Sequence, residues 1–207
     1  TENLLDSLQL SSISTSTFTT PYQSGISIDT NQTSSLSSSE QDNLRLQYQS
    51  LVGSLNWLSH TTRPDISTVV SLLAQHQSHP STGHMEAAIY VAKYLSHTKT
   101  LGISFSSSNR TKLETFLHFP IPSKVLAMSD ANWGPQDASL AHKSIELPLF
   151  ASRSMSAFFV DLLGPLQWMS KRQTVTACSS AEAEIYATNE SVKFLLELSQ
   201  LLDFLGF

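Results

Sequence analysis

Between residues 44 and 100, apolar side chains recur at steps of three and four, a spacing that predicts amphipathic helices. Three such stripes follow one another with short polar joints between them. They comprise Tyr48, Leu51, Val52, Leu55 and Leu58, then Ile66, Val69, Val70 and Leu73, then Met85, Ile89, Ala92 and Leu95. Pro64 and Asp65 suit the first turn of the second helix, and Ser81 or Thr82 suits the cap of the third. This stretch is predicted to form a small helical unit.

After Lys99 the pattern changes to short runs that favour strands. "LGISF" (101–105) and "KVLAMSDANW" (124–133) are two candidates. "SMSAFFVDLLG" and "PLQWMSKRQTVTA" are two further extended runs, which meet at Gly164-Pro165 and predict a hairpin. Residues 135–152 are polar and interrupted by proline, which predicts a loop, and a long helix is predicted from beyond Cys178 to about Leu205. The order is helices, then three strands, then a helix, which predicts a mixed α/β (α+β) fold.

The composition predicts a disordered leader and argues against some classes of function. Residues 1–43 are rich in Ser and Thr with little apolar periodicity, which predicts a disordered leader before a helical unit at 44–100 and an α+β unit at 101–207. The formal charge of −5 with 14% charged residues argues against binding nucleic acid by bulk electrostatics, so any such contact must be local. No stretch has the length of a membrane span or the pattern of a secretory signal, and one cysteine cannot form an internal disulfide. An intracellular protein is expected.

Two carboxylates stand out as candidates for chemistry. Strand alternation puts Leu126, Met128 and Asp130 on one face, which the sequence predicts to be the apolar face; Asp130 there either opens a turn or binds a cation. In the last helix, Glu182 lies three residues after Ser179, a capping-box spacing that explains it structurally. Glu184 is predicted to flank an apolar stripe of Ala181, Ile185, Thr188, Val192, Leu195 and Leu196. Asp130 and Glu184 could converge on a divalent cation, which spacing alone does not establish.

Three motifs occur in one order: "YQSLVGSLNWLSHTTRPDI" (48–66), "SDANW" (129–133) and "SKRQTVTACSSAEAEIYA" (170–187). They resemble the Pol polyprotein of Ty1/copia-type LTR retrotransposons, whose forms are Y-x-x-L-V-G-x-L-x-Y-L-x-x-T-R-P-D-I, S-D-A-D-W and S-x-K-Q-x-x-V-x-x-S-S-x-E-A-E-Y. The resemblance implies the end of a reverse transcriptase, with its thumb or connection helices, followed by the first part of a ribonuclease H domain. The expected fold is an incomplete RNase H-like core of three antiparallel strands and a long helix.

The resemblance also implies an activity, a cofactor and partners. Such enzymes hydrolyse the RNA strand of an RNA–DNA hybrid with two Mg²⁺ or Mn²⁺ ions, and Asp130 and Glu184 would be the first two metal-binding and catalytic acids. The partners implied are the hybrid and the rest of Pol, with its reverse transcriptase and integrase, in a cytoplasmic virus-like particle or the nucleus. No membrane partner is expected.

Three departures from the family forms bear on that activity. Asn132 replaces the second acid of S-D-A-D-W, residues 135–152 are longer than the usual connection, and no motif supplies the third and fourth acids. We therefore expect no nuclease activity from the 207 residues alone. The alternatives are a non-catalytic relic or connector, and an interaction protein.

The remaining polar and aromatic candidates have structural alternatives. Lys171 and Arg172 are predicted to point to opposite faces of a strand, where one could contact a phosphate or both could be solvated. Arg153, just before the second strand, could also contact a phosphate, although a surface charge explains it better. His76 and His79 are better explained as solvated than as zinc ligands. The tryptophans, Trp57, Trp133 and Trp168, are predicted to be core or rim residues, with base stacking as the alternative for Trp133.

Overall fold

The computed structural model describes residues 18–22, 37–121, 125–132 and 153–206. Within them the chain divides between Gly102 and Ile103 into two compact units. Most of the predicted leader, the predicted loop at 135–152, and Trp133 lie outside the described residues. No helix of the described residues is both long and apolar enough to cross a bilayer.

The first unit contains three α-helices and a short 3₁₀ turn. They are α1 (Ser38–Thr61), the turn Pro64–Ile66, α2 (Ser67–Ala74) and α3 (Thr82–His97). Helix α1 begins at Ser38 rather than at Leu44 as predicted. The reason is a capping box in which the Ser37 side chain accepts from the Glu40 amide and the Glu40 carboxylate accepts from the Ser37 amide, so serine-rich sequence here starts a helix.

The predicted stripes of α1 and α2 form the core of this unit. All nine of their apolar residues, from Tyr48 to Leu73, are buried in one cluster. In α3 the prediction is confirmed for Ala92 and Leu95, which are buried, whereas Met85 and Ile89 pack at its margin. Ala87, Ala88, Val91 and Tyr94 complete the buried face. Small residues at 87 and 88 let α3 lie close to its neighbours.

The "TRPD" segment fastens the 3₁₀ turn to the end of α3. Arg63, 3% exposed, donates from Nε and Nη2 to the two oxygens of Asp65 at 2.9 and 2.7 Å, and from Nη1 to the carbonyl of Thr98 at 3.1 Å. The Tyr94 hydroxyl donates to Asp65 at 2.7 Å. Burial opposes ionisation of Asp65, but the hydrogen bonds from Arg63 and Tyr94 outweigh it and hold the pKa of this carboxyl below its usual range. This part of the motif is therefore a structural clamp.

The second unit contains a three-stranded antiparallel sheet and two helices. They are α4 (Ser107–Leu117), β1 (Leu126–Asn132), β2 (Met155–Asp161), β3 (Pro165–Arg172) and α5 (Ser180–Phe204), and the strand order is β1-β2-β3. The predicted mixed α/β fold with a hairpin at Gly164-Pro165 is confirmed. The sheet and helix are compatible with a partial RNase H-like core.

The segment from 101 to 117 differs from the prediction. "LGISF" (101–105) is not a strand; most of it is exposed. Helix α4, which the sequence did not predict, follows with Ser106 as its cap and no buried residue. It carries no periodic apolar stripe, the signal on which the other helices were predicted.

Candidate metal and nucleic-acid site

The register of the sheet decides which side chains of β1 face α5. Ser129 pairs with Phe158, and its Oγ lies 3.1 Å from Oγ1 of Thr188 on α5. Phe158 and Val160 form a buried cluster with Leu198 of α5. Because cross-strand partners share a face, Ala127, Ser129 and Ala131 all lie on the helix side of the sheet. The helix therefore covers the odd-numbered face of β1.

Asp130 lies on the opposite face of β1. It pairs with Ala157 and is exposed, as are Met128 and Asn132 on the same side. Alternation groups Leu126, Met128 and Asp130 as predicted, but this is the more exposed face of the strand and not the one packed under α5. The sequence was misleading here because Leu126 and Met128 are the larger apolar residues, whereas Ala127 and Ser129 are small enough to let the helix approach.

Glu184 lies on the first turns of α5, on the side toward β1. It is half-buried, one turn before Thr188, whose hydroxyl contacts β1. The predicted apolar stripe of α5 was wrong in register, since Ile185 and Leu196 are 66% and 61% exposed. The residues that pack on the sheet or are buried are instead Ala183, Ala187, Ser191, Phe194, Leu195, Leu198 and Leu202. At roughly 100° per residue, Glu184 still flanks this corrected stripe.

The two candidate acids are thus attached to different sides of the sheet. Asp130 projects from the face opposite to α5, and Glu184 belongs to α5 itself. Among the described residues, no group of three or more His, Cys, Asp or Glu side chains is placed to hold a metal ion. The shared metal site of Asp130 and Glu184 stays a prediction.

Glu182 has the structural role that its spacing indicated. Its amide donates to the Ser179 side chain at 3.1 Å, and its carboxylate accepts from the Cys178 amide at 2.6 Å and the Tyr186 hydroxyl at 3.1 Å. The backbone hydrogen bond from Cys178, reinforced by Tyr186, lowers the pKa of Glu182. In a standard capping box this carboxylate would accept from the amide of the cap residue, Ser179. Here it accepts from the amide of Cys178, one residue earlier. These contacts leave Glu184 as the acid without such a cap role.

The basic candidates divide between the two faces of the sheet, as predicted. Lys171 pairs with Ser156 on the helix side and forms a 2.7 Å ion pair with Glu190 of α5. Arg172 pairs with Met155, which also pairs with Asn132, so Arg172 shares the face of Asp130. Arg153, half-buried, precedes β2. The face opposite α5 therefore brings a guanidinium to the same side as Asp130, a grouping that sequence reasoning had not identified.

Gln173 has a role that the sequence did not reveal. It is 5% exposed, and its Nε2 donates to Ser156 Oγ at 2.8 Å and to the Ala183 carbonyl at 2.9 Å. Its amide also donates to the Ser154 carbonyl at 2.8 Å. The side chain thus ties the end of β3 to β2 and to the first turn of α5. Gln173 matches the Gln of the family form S-x-K-Q. That match could have indicated that the residue matters, but the sequence alone assigns it no role.

An exposed apolar strip follows the outer side of α1 in the first unit. Trp57 is 65% exposed and Leu46 63% exposed, so the prediction of Trp57 as a core or rim residue was wrong; Trp168, 7% exposed, is buried as predicted. Gly53 lies one turn before Trp57, and a Cβ placed there would meet nothing within 4 Å. The strip, defined as Leu46, Ser50, Gly53 and Trp57, is a flat helix surface with one large aromatic ring.

Known retrotransposon proteins are similar to this chain over most of its length. The Pol polyprotein from transposon RE1 of Arabidopsis thaliana is 29% identical over 77% of this chain, and a Ty5-1 transposon protein of Saccharomyces cerevisiae is 32% identical over 70%. The chain belongs to the Ty1/copia-type retrotransposon Pol family. It spans 9% of the RE1 polyprotein and 40% of the Ty5-1 protein, so it corresponds to a small part of the large family members.

A further similar protein is covered by this chain over most of its own length. The secreted RxLR effector protein 161 of Plasmopara viticola is 31% identical over 70% of this chain and 87% of its own length. No family model matches the chain. No solved structure matches it either.

Proposed function

We propose that this chain is the part of a Ty1/copia Pol polyprotein in which the last helices of reverse transcriptase precede the first half of an RNase H domain. The observation that carries the proposal is the position of the motifs in the fold. "SDAN" lies in the first strand of a three-stranded antiparallel sheet, and "SSAEAE" starts the long helix packed on that sheet. Family membership supports the same assignment.

In this proposal Asp130 and Glu184 supply the first two acids for Mg²⁺ or Mn²⁺, ions that favour carboxylate oxygens. The bound metals would activate water against the RNA strand of an RNA–DNA hybrid. Asp130 and Glu184 lie on different sides of the sheet, so completing the site requires further acids and an adjustment of β1 or α5. The chain would act together with the remaining Pol segments, including reverse transcriptase and integrase, inside a virus-like particle or the nucleus.

The test of catalysis is a cleavage assay on a labelled RNA–DNA hybrid with the purified 207-residue chain. We expect no Mg²⁺-dependent cleavage above a buffer blank, because two acids hold metal weakly. Strong cleavage that Asp130→Asn abolishes would contradict the expected inactivity and would establish the site.

Binding is the more direct consequence of the proposal. The strip on α1 offers an exposed indole beside a glycine, a surface on which a sugar or base edge can approach the helix backbone closely. Hybrid binding should therefore weaken by a factor of a few in Trp57→Ala, because the exposed indole would lose its contact with the sugar edge of the duplex. Phe116→Ala, which removes a 78% exposed aromatic of α4, is the matched control and should bind like the parent. Equal binding by all three proteins would remove the strip from the proposal.

The second candidate is a non-catalytic interaction module derived from the same family. It is supported by the similarity to the effector protein over most of that protein's length and by the separation of Asp130 from Glu184. If the chain neither binds nor cleaves the hybrid with Mg²⁺ present, while the folded protein remains intact by circular dichroism, this second function is favoured.

A further inference from the structure

Two histidine rings are stacked where the end of α2 meets the start of α3. The rings of His76 and His84 lie 4.0 Å apart between centroids and are inclined by 20°. His84, in the first turn of α3, is fully buried, and the ring of Tyr48 from α1 lies 6.3 Å away. The pair therefore joins all three helices of the first unit.

The hydrogen bonds of His84 define where its proton lies. The Ser81 amide donates to Nδ1 of His84 at 2.9 Å, so Nδ1 carries the lone pair and the neutral ring has its proton on Nε2. The His84 amide donates back to Ser81 Oγ at 3.2 Å. Nε2 is buried and has no hydrogen-bond partner. A neutral imidazole thus takes the place that Glu or Gln occupies in an ordinary capping box.

Protonation would disrupt this arrangement in three ways. A proton on Nδ1 would point at the Ser81 amide, the charge would be buried, and a charged His76 would lie against it. The groups that face His84 are His76 after α2, Tyr48 from α1, whose hydroxyl donates to the Leu73 carbonyl, and Ser81 at its own cap. None of these three supplies a negative charge at acidic pH. Burial, and then His76, lower the pKa of His84 to about 4.

We propose that His76 and His84 form an acid-sensitive latch, which holds residues 75–81 and the first turn of α3 against α1 when neutral and releases them when protonated. Two further contacts of this segment with α1 come from side-chain amides, which do not titrate in that range. Gln41 and Gln49 of α1 donate to the carbonyls of Pro80 and Gln77, each at 2.9 Å. Of these contacts between residues 75–81 and α1, the histidine latch is therefore the one that changes with pH.

The sign of the effect follows from which state binds the proton. An unfolded histidine takes up a proton below a pH of about 6.5, whereas His84 in the fold resists it down to about 4. The stabilisation is thus complete above pH 6.5 and is lost as pH falls from there to 4. At pH 5 the ratio of latched to released chain should be about 30-fold lower than at pH 8.

The latch is tested on the full chain with His84→Gln, which restores a standard Ser-x-x-Gln capping box and cannot titrate. The equilibrium constant for unfolding is measured in denaturant between pH 8 and 4.5, and amide exchange of residues 81–88 is followed at pH 7 and pH 5. His79→Gln removes an exposed histidine from the same segment and is the matched control.

Between pH 8 and pH 5, the equilibrium constant for unfolding should rise about 30-fold more in the parent and in His79→Gln than in His84→Gln. Amide exchange at residues 81–88 should also become faster in these two proteins, after correction for intrinsic rates. A pH profile of His84→Gln that parallels the parent would overturn the latch. If His84→Gln does not fold, the titration of the seven histidine ring protons by NMR decides instead. A His84 resonance that titrates near pH 6.5 without a change in α3 amides would equally overturn it, and a resonance that titrates near 4 would support it.

Discussion

Arg63 shows how one motif residue can matter for stability without taking part in chemistry. Its guanidinium is almost completely buried and contacts Asp65 with two nitrogens and residue Thr98 with two more hydrogen bonds. The ring of Tyr94 lies 5.5 Å from its central carbon. All of these contacts join the turn before α2 to the end of α3. This part of the family motif therefore stabilises the helical unit.

The expected result of Arg63→Ala is a loss of about 2 kcal/mol of unfolding free energy, because Asp65 and Thr98, both half-buried, would lose the buried guanidinium that they contact. Arg45→Ala is the control, since Arg45 pairs with Asp42 on the exposed surface of α1 and should change stability by less than about 0.5 kcal/mol. Urea denaturation followed by circular dichroism measures both. Equal effects of the two substitutions would show that the buried clamp contributes no more than a surface ion pair.

Gly164 is required by close contact at the hairpin between β2 and β3. A Cβ placed on it would lie 2.5 Å from the Ser104 carbonyl oxygen, and the neighbouring Leu163 carbonyl accepts from the Ser106 amide at 2.9 Å. Gly164→Ala should therefore separate the hairpin from residues 104–106 and destabilise the second unit by about 1 to 3 kcal/mol. Gly102→Ala is the control, as its Cβ would meet nothing within 4 Å. Thermal unfolding compares them; unchanged midpoints for both would show that the turn adjusts freely.

At the scale of elements, α5 presents apolar residues on two sides. Ala183 and Ala187 are fully buried against the sheet, whereas Ile185 and Leu196 are exposed on the other side. In the first turns the packed side carries the small residues Ala183, Ala187 and Ser191, which let the helix approach the sheet, and the larger packed residues follow only from Phe194 onward. This is the physical reason for the error in the predicted stripe.

The packing of α5 gives a test that separates the two sides. Ala187→Leu should cost about 1 to 3 kcal/mol, since the added carbons have no space between α5 and the sheet. Ile185→Ser, a larger chemical change, should stay within about 0.5 kcal/mol of the parent because the side chain is 66% exposed. Chemical denaturation measures both changes. The reverse ranking would restore the stripe inferred from sequence.

Elements with a strong apolar period were predictable, and those without one were not. The stripes of α1 and α2, the strands β1 to β3 and the length of α5 follow from side-chain spacing. Helix α4 has no buried face, and α1 starts in serine-rich sequence through a local capping box. For the candidate site, the opposite directions of Lys171 and Arg172 followed from alternation. The side of the sheet that α5 covers did not, because tertiary packing determines it.

At the scale of the molecule, acidic charge limits how nucleic acid can be bound. The chain has 12 basic and 17 acidic residues, and Lys171 and Lys193 are both engaged with Glu190. Arg172, on the face of Asp130, and Arg153 are the basic candidates outside that ion-pair group. Under the proposed function, the second unit would therefore offer a hybrid a few local cations rather than a broad basic surface.

This distribution predicts a shallow salt dependence for hybrid binding. Each neutralised phosphate contributes a slope of roughly −0.9 to the logarithm of affinity against the logarithm of salt concentration, so a few local contacts give a total of about −1 to −3. Arg172→Gln should make the slope less steep by about 1, whereas Lys193→Gln, which removes an exposed partner of Glu190, should leave it nearly unchanged. Fluorescence anisotropy of a labelled hybrid between 50 and 300 mM salt, about a sixfold range, measures the slopes. A slope steeper than about −5 would mean that a larger basic surface exists, and the local mode of binding would then be wrong.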